Sequence, residues 1–482
     1  MQLSYFYQKF KTLLIALITL LLCIIMVISI SIFLLDYQKP AGLPSVDYKG
    51  SLVLNDVNIV NVNDGQIIKN QQLVIKDGLI VDIKQAGSKV TNAAKVIDGA
   101  GMYVSPGLFD MHVHVYDRKH LTLNLAYGVT SVRNMNGKKM HLRWRDELDD
   151  EQWLGSNLHV SSPILAGKGT HALNQEVLSV EQARVEVQQA NMHGYDFIKV
   201  YGYHSAEIFE GIIDEANKIG IAVAKHGPHP AKGSNWSYIK GLQSLEHVED
   251  IFQGPLNYQF DQETMQAVAI NIKQSGVPVV PTLETFDHLT QLSNGKQTFI
   301  DSLAIEYLNP LYFDIESHFT VSRWLQDNPQ QSQYHLEKQQ ILFKIVKALS
   351  DQQVRLLVGS DAGTMYTVPG IATHNEMNLM QRAGLSNEEV LRAATINAAQ
   401  ALNIDKAYGS INVGKVADLV LVEQNPLNRI EVLRTPNAVV KHGQFLDKEQ
   451  LEQLKREAKN TESYYWSVIG LLEDLLTRFL FH

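Results

Sequence analysis

"SPGLFDMHVHVYD", residues 105–117, places two histidines, His112 and His114, one residue apart at the end of an apolar run. In an extended strand, residues i and i+2 project to the same face. Both imidazoles therefore leave the strand end together, towards a core or towards a metal, and ligands elsewhere in the chain must decide which. Seven further apolar runs follow: "VTSVRNM" (129–135), "LHVSSPIL" (158–165), "DFIKVYG" (196–202), "IAVAKHG" (221–227), "SLEHV" (244–248), "VPVVPTL" (277–283) and "VRLLVGSDAG" (354–363). Helix-like segments such as "SVEQARVEVQQANMHG" and "SAEIFEGIIDEANKIG" lie between them, each opening on Ser and closing on Gly, the residues that cap helices. Eight such alternations over roughly 250–300 residues point to a TIM (β/α)8 barrel. A doubly wound open sheet is the alternative. Residues 284–350 exceed an ordinary link and read as an inserted helical subregion.

Both flanks of this region, taken as 105–405, are rich in β-formers. Residues 50–104 alternate apolar runs with Asp-Gly turn signals, and "GSINVGKVADLVLVEQNP" and "NAVVKHGQFL" fall within 406–446. The simplest arrangement is one small composite β-sandwich, assembled from both flanks, with the barrel inserted between them. Residues 447–482 form a C-terminal helical extension, charged at first and then apolar in "YYWSVIGLLEDLLTRFLFH". That last segment reads as a core-docking helix, a dimer helix or an interfacial membrane helix; docking or an interface suits it better than spanning, because Glu473, Asp474 and Arg478 interrupt it, and a homo-oligomer stays open.

Ahead of all this, residues 12–35 carry no charge. Their 24 residues reach about 36 Å as a helix, enough for a hydrocarbon core of about 30 Å with some tilt. The run is longer than a signal-peptide core and lacks an Ala-x-Ala-like cleavage site, so it reads as one transmembrane signal anchor. Lys9 and Lys11 precede it and Asp36 follows. Residues 1–11 are therefore expected in the cytoplasm, with 36–49 as a linker and the catalytic part on the exported side, periplasmic or extracellular. The only cysteine, Cys23, sits in the span, so the exported part needs no reducing surroundings. A net charge of −9 without any long basic run argues against nucleic acid as a partner.

The expected strands end in groups suited to metals: His112 and His114 on the first, His226 on the fifth, His247 on the sixth and Asp361 on the eighth. In a (β/α)8 barrel these ends converge on one face, where active sites form, and imidazole with carboxylate suits zinc and related ions. The histidine pair is therefore read as a metal-binding pair. Lys199, at the end of the fourth strand, binds no metal as an ammonium. Burial lowers its pKa, and a neutral amine can take up CO₂ as a carbamate whose oxygens could bridge two metals. Pairing with an acid such as Asp361 is the other option.

Taken together, "SPGLFDMHVHV", "AYGVTSVRNM", "FIKVYG", "SLEHV", "GSDAG", "HNEMNLMQRAGLSNEEVLRAATINAAQAL" and "GSINVGKVADLVLVEQNPL" resemble the amidohydrolase superfamily, over about residues 50–445. The resemblance is to the branch of imidazolonepropionase-like and Xaa-Pro-dipeptidase-like enzymes. It implies a site for one or two divalent metals, two zinc ions by expectation: one on His112, His114 and Asp361, the other on His226 and His247, bridged by carbamylated Lys199. Two departures stand out. His229 follows His226 closely and would face substrate, and Asn134 stands where the pattern leads one to expect Asp.

Such metals activate a water and polarise a carbonyl. Asp361 would then act as general base, passing the water's proton to a leaving amine. The expected activity is hydrolysis of an amide or peptide-like C–N bond in a small molecule or dipeptide, with His171, Tyr201 and His229 as candidate substrate contacts. A mononuclear cyclic-amide hydrolase or a deaminase is the alternative, though "HGPHPAKGSNW" lacks the helper Glu that deamination usually needs. A catalytically retired membrane-anchored scaffold is the reading of another class, and the full ligand set speaks against it.

Overall fold

A computed structural model describes residues 2–37, 50–89, 95–169, 174–202, 204–227, 236–459 and 462–481. Most of the expected 36–49 linker, and both His171 and His229, lie outside the described residues. The chain divides into two compact units, one of 1–42 with 462–482 and one of 43–461.

In the larger unit the first flank supplies β1 (Ser51–Asn61), β2 (Gln66–Lys76), β3 (Leu79–Gln85), β4 (Lys95–Asp98) and β5 (Tyr103–Pro106). Then come β6 (Leu108–Val113), β7 (Val129–Asn134), β8 (Asn157–Val160), β9 (Leu165–Ala166), β10 (Gln175–Glu176), β11 (Phe197–Val200), β12 (Ala222–His226), β13 (Ser244–Glu246) and β14 (Val279–Val280). The second flank adds β15 (Leu419–Val422), β16 (Ala438–Lys441) and β17 (Gln444–Asp447).

Both flanks join in one mixed sheet of eight strands, ordered β17-β16-β15-β5-β1-β2-β3 with β4 beside β1. The seam between them is antiparallel, pairing Leu419–Val422 with Tyr103–Pro106. Two of its hairpins close on two-residue turns, Asp77-Gly78 and His442-Gly443, whose residues all have positive φ, as a type I′ turn requires. Leu52, Leu54, Ile75, Leu419 and Val440 are among the residues of its own apolar core.

The parallel segments form a closed circuit. β6, β7 and β8 pair in order, Ser161 bridges to Phe197, and β11 to β14 continue in register. Val279 then bridges to Leu356 and Ala362 returns to Val113. The eighth segment is held by backbone bonds without a long ladder: Leu357 N–H donates to Val279 O, Met111 N–H to Val358 O and His114 N–H to Ala362 O. Around the circuit the helices start where their capping residues predict, with Ser179 accepting from Gln182 N–H and Ser205 from Ile208 N–H. The region 284–350 is helical as expected, chiefly Leu283–Ile300 and Pro329–Asp351.

The circuit tolerates no extra atoms where the loop after β7 crosses it. A Cβ on Gly137 would lie 1.6 Å from Ser161 O, whereas one on Gly202 would meet nothing within 4 Å among the described residues. Gly137→Ala should therefore lower stability by about 3 kcal/mol, the upper end for overpacking, while Gly202→Ala stays near wild type. Thermal melting of the two variants checks this.

Candidate metal centre and active site

β6 is buried along its whole length and delivers His112, with His114 one residue beyond its end. Asp361, from the eighth segment, closes on both: its Oδ1 is 3.1 Å from His114 Nε2 and 3.5 Å from His112 Nε2. The three donor atoms all lie within 4.8 Å of one another. Two imidazole nitrogens and a carboxylate at this spacing fit a divalent metal ion.

From here the rings continue in a row. His112 and His247 have centroids 4.6 Å apart, His247 and His226 4.2 Å, and Tyr201 follows 4.1 Å beyond His226. The expected residues His112, His114, His226, His247, Asp361 and Tyr201 are thus brought together. Burial above all holds His112 and His226 well below the ordinary imidazole range and His247 at about 4. All three are neutral at pH 7, the form that binds metal. Burial works against ionisation of Asp361, but His112, His114 and His247 outweigh it and hold the carboxyl below its usual range.

Lys199 sits on β11 and is buried, its Nζ making no hydrogen bond among the described residues. Burial is the largest influence on it and brings its pKa down to about 8, against the opposing pull of Glu246. The expected alternative, an ion pair with Asp361, is not formed.

Partners behind these imidazoles select which nitrogen is free, a common device in metal sites. His112 Nδ1 lies 2.7 Å from Glu246 Oε2 and His247 Nδ1 2.7 Å from Thr282 Oγ1. His226 Nε2 lies 3.2 Å from Asp250 Oδ2. His112 and His247 therefore present Nε2. Glu246 is held by Arg133, whose guanidinium donates at 2.7 Å and also reaches Met111 O and Ser244 Oγ. Asn134, the departure from the resemblance, receives Val115 N–H and touches His141 Nδ1.

Sequence reasoning missed this outer layer. Glu246 is the residue before His247 in "SLEHV" and Arg133 precedes Asn134 in "VRNM"; a charged residue inside an otherwise apolar strand was the available signal. It also missed Tyr312, from the inserted helices, which stacks on Tyr116 at 3.7 Å while Lys138 Nζ donates to its hydroxyl.

A model of the amidohydrolase family matches residues 103–446, well over half of the chain. This chain belongs to the amidohydrolase family. Among curated relatives, the amidohydrolase is 23% identical to a 5'-deoxyadenosine deaminase of Methanosphaera stadtmanae, over 79% of this chain and 87% of the relative. It is 22% identical to ochratoxinase of Aspergillus niger, over 83% and 87%. Among solved structures, a bottromycin amidohydrolase superposes with a TM-score of 0.72 at 23% identity, covering 89% of this chain and 96% of the other. A Xaa-Pro dipeptidase with bound methionine in its active site gives 0.64 at 20%, covering 83% and 100%.

In this amidohydrolase Arg133 and Glu246 are both fully buried. Breaking a buried ion pair while leaving one charge behind costs about 3–5 kcal/mol, and loss of a ligand's outer partner weakens metal binding about 10–100-fold. Glu246→Gln should show both losses, read by denaturant unfolding and by metal titration. Wild-type metal affinity in that variant would refute the orienting role of Glu246.

Proposed function

We propose that this amidohydrolase is a single-pass membrane enzyme that hydrolyses a C–N bond in a dipeptide-like or other small amide on the exported side of the membrane. The observation that carries the reading is the row of four imidazoles ending at Asp361, with a buried lysine amine that has no hydrogen-bond partner among the described residues. In this reading the closed circuit is a (β/α)8 barrel, and the mixed sheet curls into the composite β-sandwich. The helix Gln2–Tyr37 contains an apolar stretch, Phe10–Leu34, long enough to cross a membrane, and is assigned as an uncleaved anchor.

His112, His114 and Asp361 would hold one zinc ion and His226 and His247 a second, with carbamylated Lys199 between them. The carbamate forms when the neutral Nζ of Lys199 bonds to the carbon of CO₂ and releases one proton to solvent. When bound, the metal pair supplies a nucleophile at neutral pH and polarises the scissile carbonyl. Asp361, ionised at pH 7, accepts the proton of the attacking water and returns it to the departing amine. Tyr201 lies beside His226, where its hydroxyl can meet the substrate, and the Tyr116–Tyr312 stack walls the side next to His114. His171 and His229 stay proposals from the sequence as substrate contacts.

Deamination is the second reading, favoured by the deaminases among the curated relatives. Ammonia release from adenosine-type substrates, set against amine release from dipeptides, separates the two. Asp361→Asn should lower turnover of the substrate found by at least about 10³-fold, the upper range for losing a general base; near wild-type turnover would refute its role. Metal per chain should be close to two for the full protein prepared with bicarbonate, and should fall in Lys199→Ala.

The lowered pKa of Lys199 also sets a pH dependence. The reactive neutral amine is present above about 8 and is lost roughly tenfold per unit as the pH falls below it. At constant dissolved CO₂, metal-depleted protein should regain metal faster at pH 8 than at pH 6, and Lys199→Ala should abolish that difference.

A further inference from the structure

We infer that the C-terminal helix Tyr464–Phe481 is a second membrane-bound element, its leucine face against lipid acyl chains and its aromatic start at headgroup level beside the N-terminal span. The inference rests on the proposed reading of Gln2–Tyr37 as a membrane anchor. The partner is the bilayer itself.

Three observations carry it. The two helices belong to one compact unit although they lie at opposite ends of the chain. Their contact has a defined depth: Ser31 Oγ is 2.6 Å from Tyr465 Oη. Ser31 is buried, whereas Ile30 and Phe33 beside it are exposed. Ser31 lies three residues before Leu34, the last of the apolar stretch, which is about 4.5 Å along a helix. Tyr465 is thereby placed at the edge of the hydrocarbon, with Tyr464 and Trp466 beside it in sequence. Tyr and Trp collect at this level because one end of each ring is apolar and the other polar.

The third observation is an inverted surface. Glu473 and Asp474 are 3% and 5% exposed, yet the next two residues, Leu475 and Leu476, are 42% and 41% exposed. A helix facing water would show its acids and hide its leucines. In a membrane the preference reverses: ionisable side chains turn inward to partners and apolar ones face lipid. Both acids do have partners. Residues Tyr464 and Tyr465, about half exposed, extend the apolar surface towards the helix start.

The test uses the full chain in phosphatidylcholine vesicles. Cys23, the only cysteine, is replaced by Ser, and single cysteines are introduced as Leu20→Cys, Leu475→Cys, Leu476→Cys and Gln453→Cys. All four positions are exposed, so a spin label there disturbs no core. Relaxation by oxygen, which concentrates in lipid, is compared with relaxation by a water-soluble nickel chelate. The expected result is that 475 and 476 give oxygen-to-nickel ratios like that of 20 and severalfold above that of 453. If 20 reports lipid while 475 and 476 match 453, the inference fails and the anchor stands. If 20 itself reports water, the anchor reading fails and takes the inference with it. Shielding of 475 and 476 from both reagents means a protein surface covers them, such as a second copy of this chain, and also overturns it.

Discussion

A guanidinium and a carboxylate sealed from water hold this active site in place. Arg133 reaches from β7 to the backbone of β6 at Met111 and to Ser244 and Glu246 on β13, and Glu246 in turn fixes His112. Three parallel strands are thus cross-linked through one ion pair. Such a pair adds little net stability over apolar packing because both ions lose their hydration. It sets direction instead: the strands cannot slide past one another without stranding a charge, and His112 cannot turn without giving up its partner.

The backbone bends to serve the same end. His247, Thr282 and Asp361, at the ends of three successive parallel segments, have φ of 66°, 52° and 58°, a region that costs non-glycine residues of order 1–3 kcal/mol each. Glu246 and His247 are neighbours, so strict strand alternation would send them to opposite faces. The left-handed turn at His247 lets both approach His112, one by a hydrogen bond and one by ring contact. Thr282 then uses its own unusual backbone to place a hydroxyl on His247. The strain is concentrated where these side chains must aim inward, and the surrounding closed circuit enforces it.

Much of this could be read from residue types at strand ends. The histidines, Lys199 and Asp361 were legible because eight apolar runs located those ends, and a parallel circuit brings them to one rim. Arg133, Glu246 and Thr282 were not, since their meaning lies in contacts across the circuit that no local period records. The eighth segment was found from "VRLLVGSDAG", although isolated bridges and single backbone bonds hold it. The inserted stretch 284–350 was recognised as helical, but that one of its tyrosines lies against Tyr116 depends on a fold-back with no signature in composition. The apolar tail was ambiguous for a plain reason: periodicity shows that a helix has a greasy side, while only the structure shows which residues that side leaves uncovered.

The seam between the two flanks bears on how the chain is made. β5 ends at Pro106, and its partner β15 begins at Leu419. The circuit likewise closes only when Ala362 reaches Val113. The sheet waits more than 300 residues for β15 and the circuit about 250 for Ala362, which takes roughly 12–60 s at ribosomal rates of about 5–20 residues per second. Throughout that interval β5 and β6 each lack a neighbour, so the nascent chain stays open instead of folding domain by domain. Under the proposed export, late completion is an advantage: no closed circuit forms early to block a translocation pore.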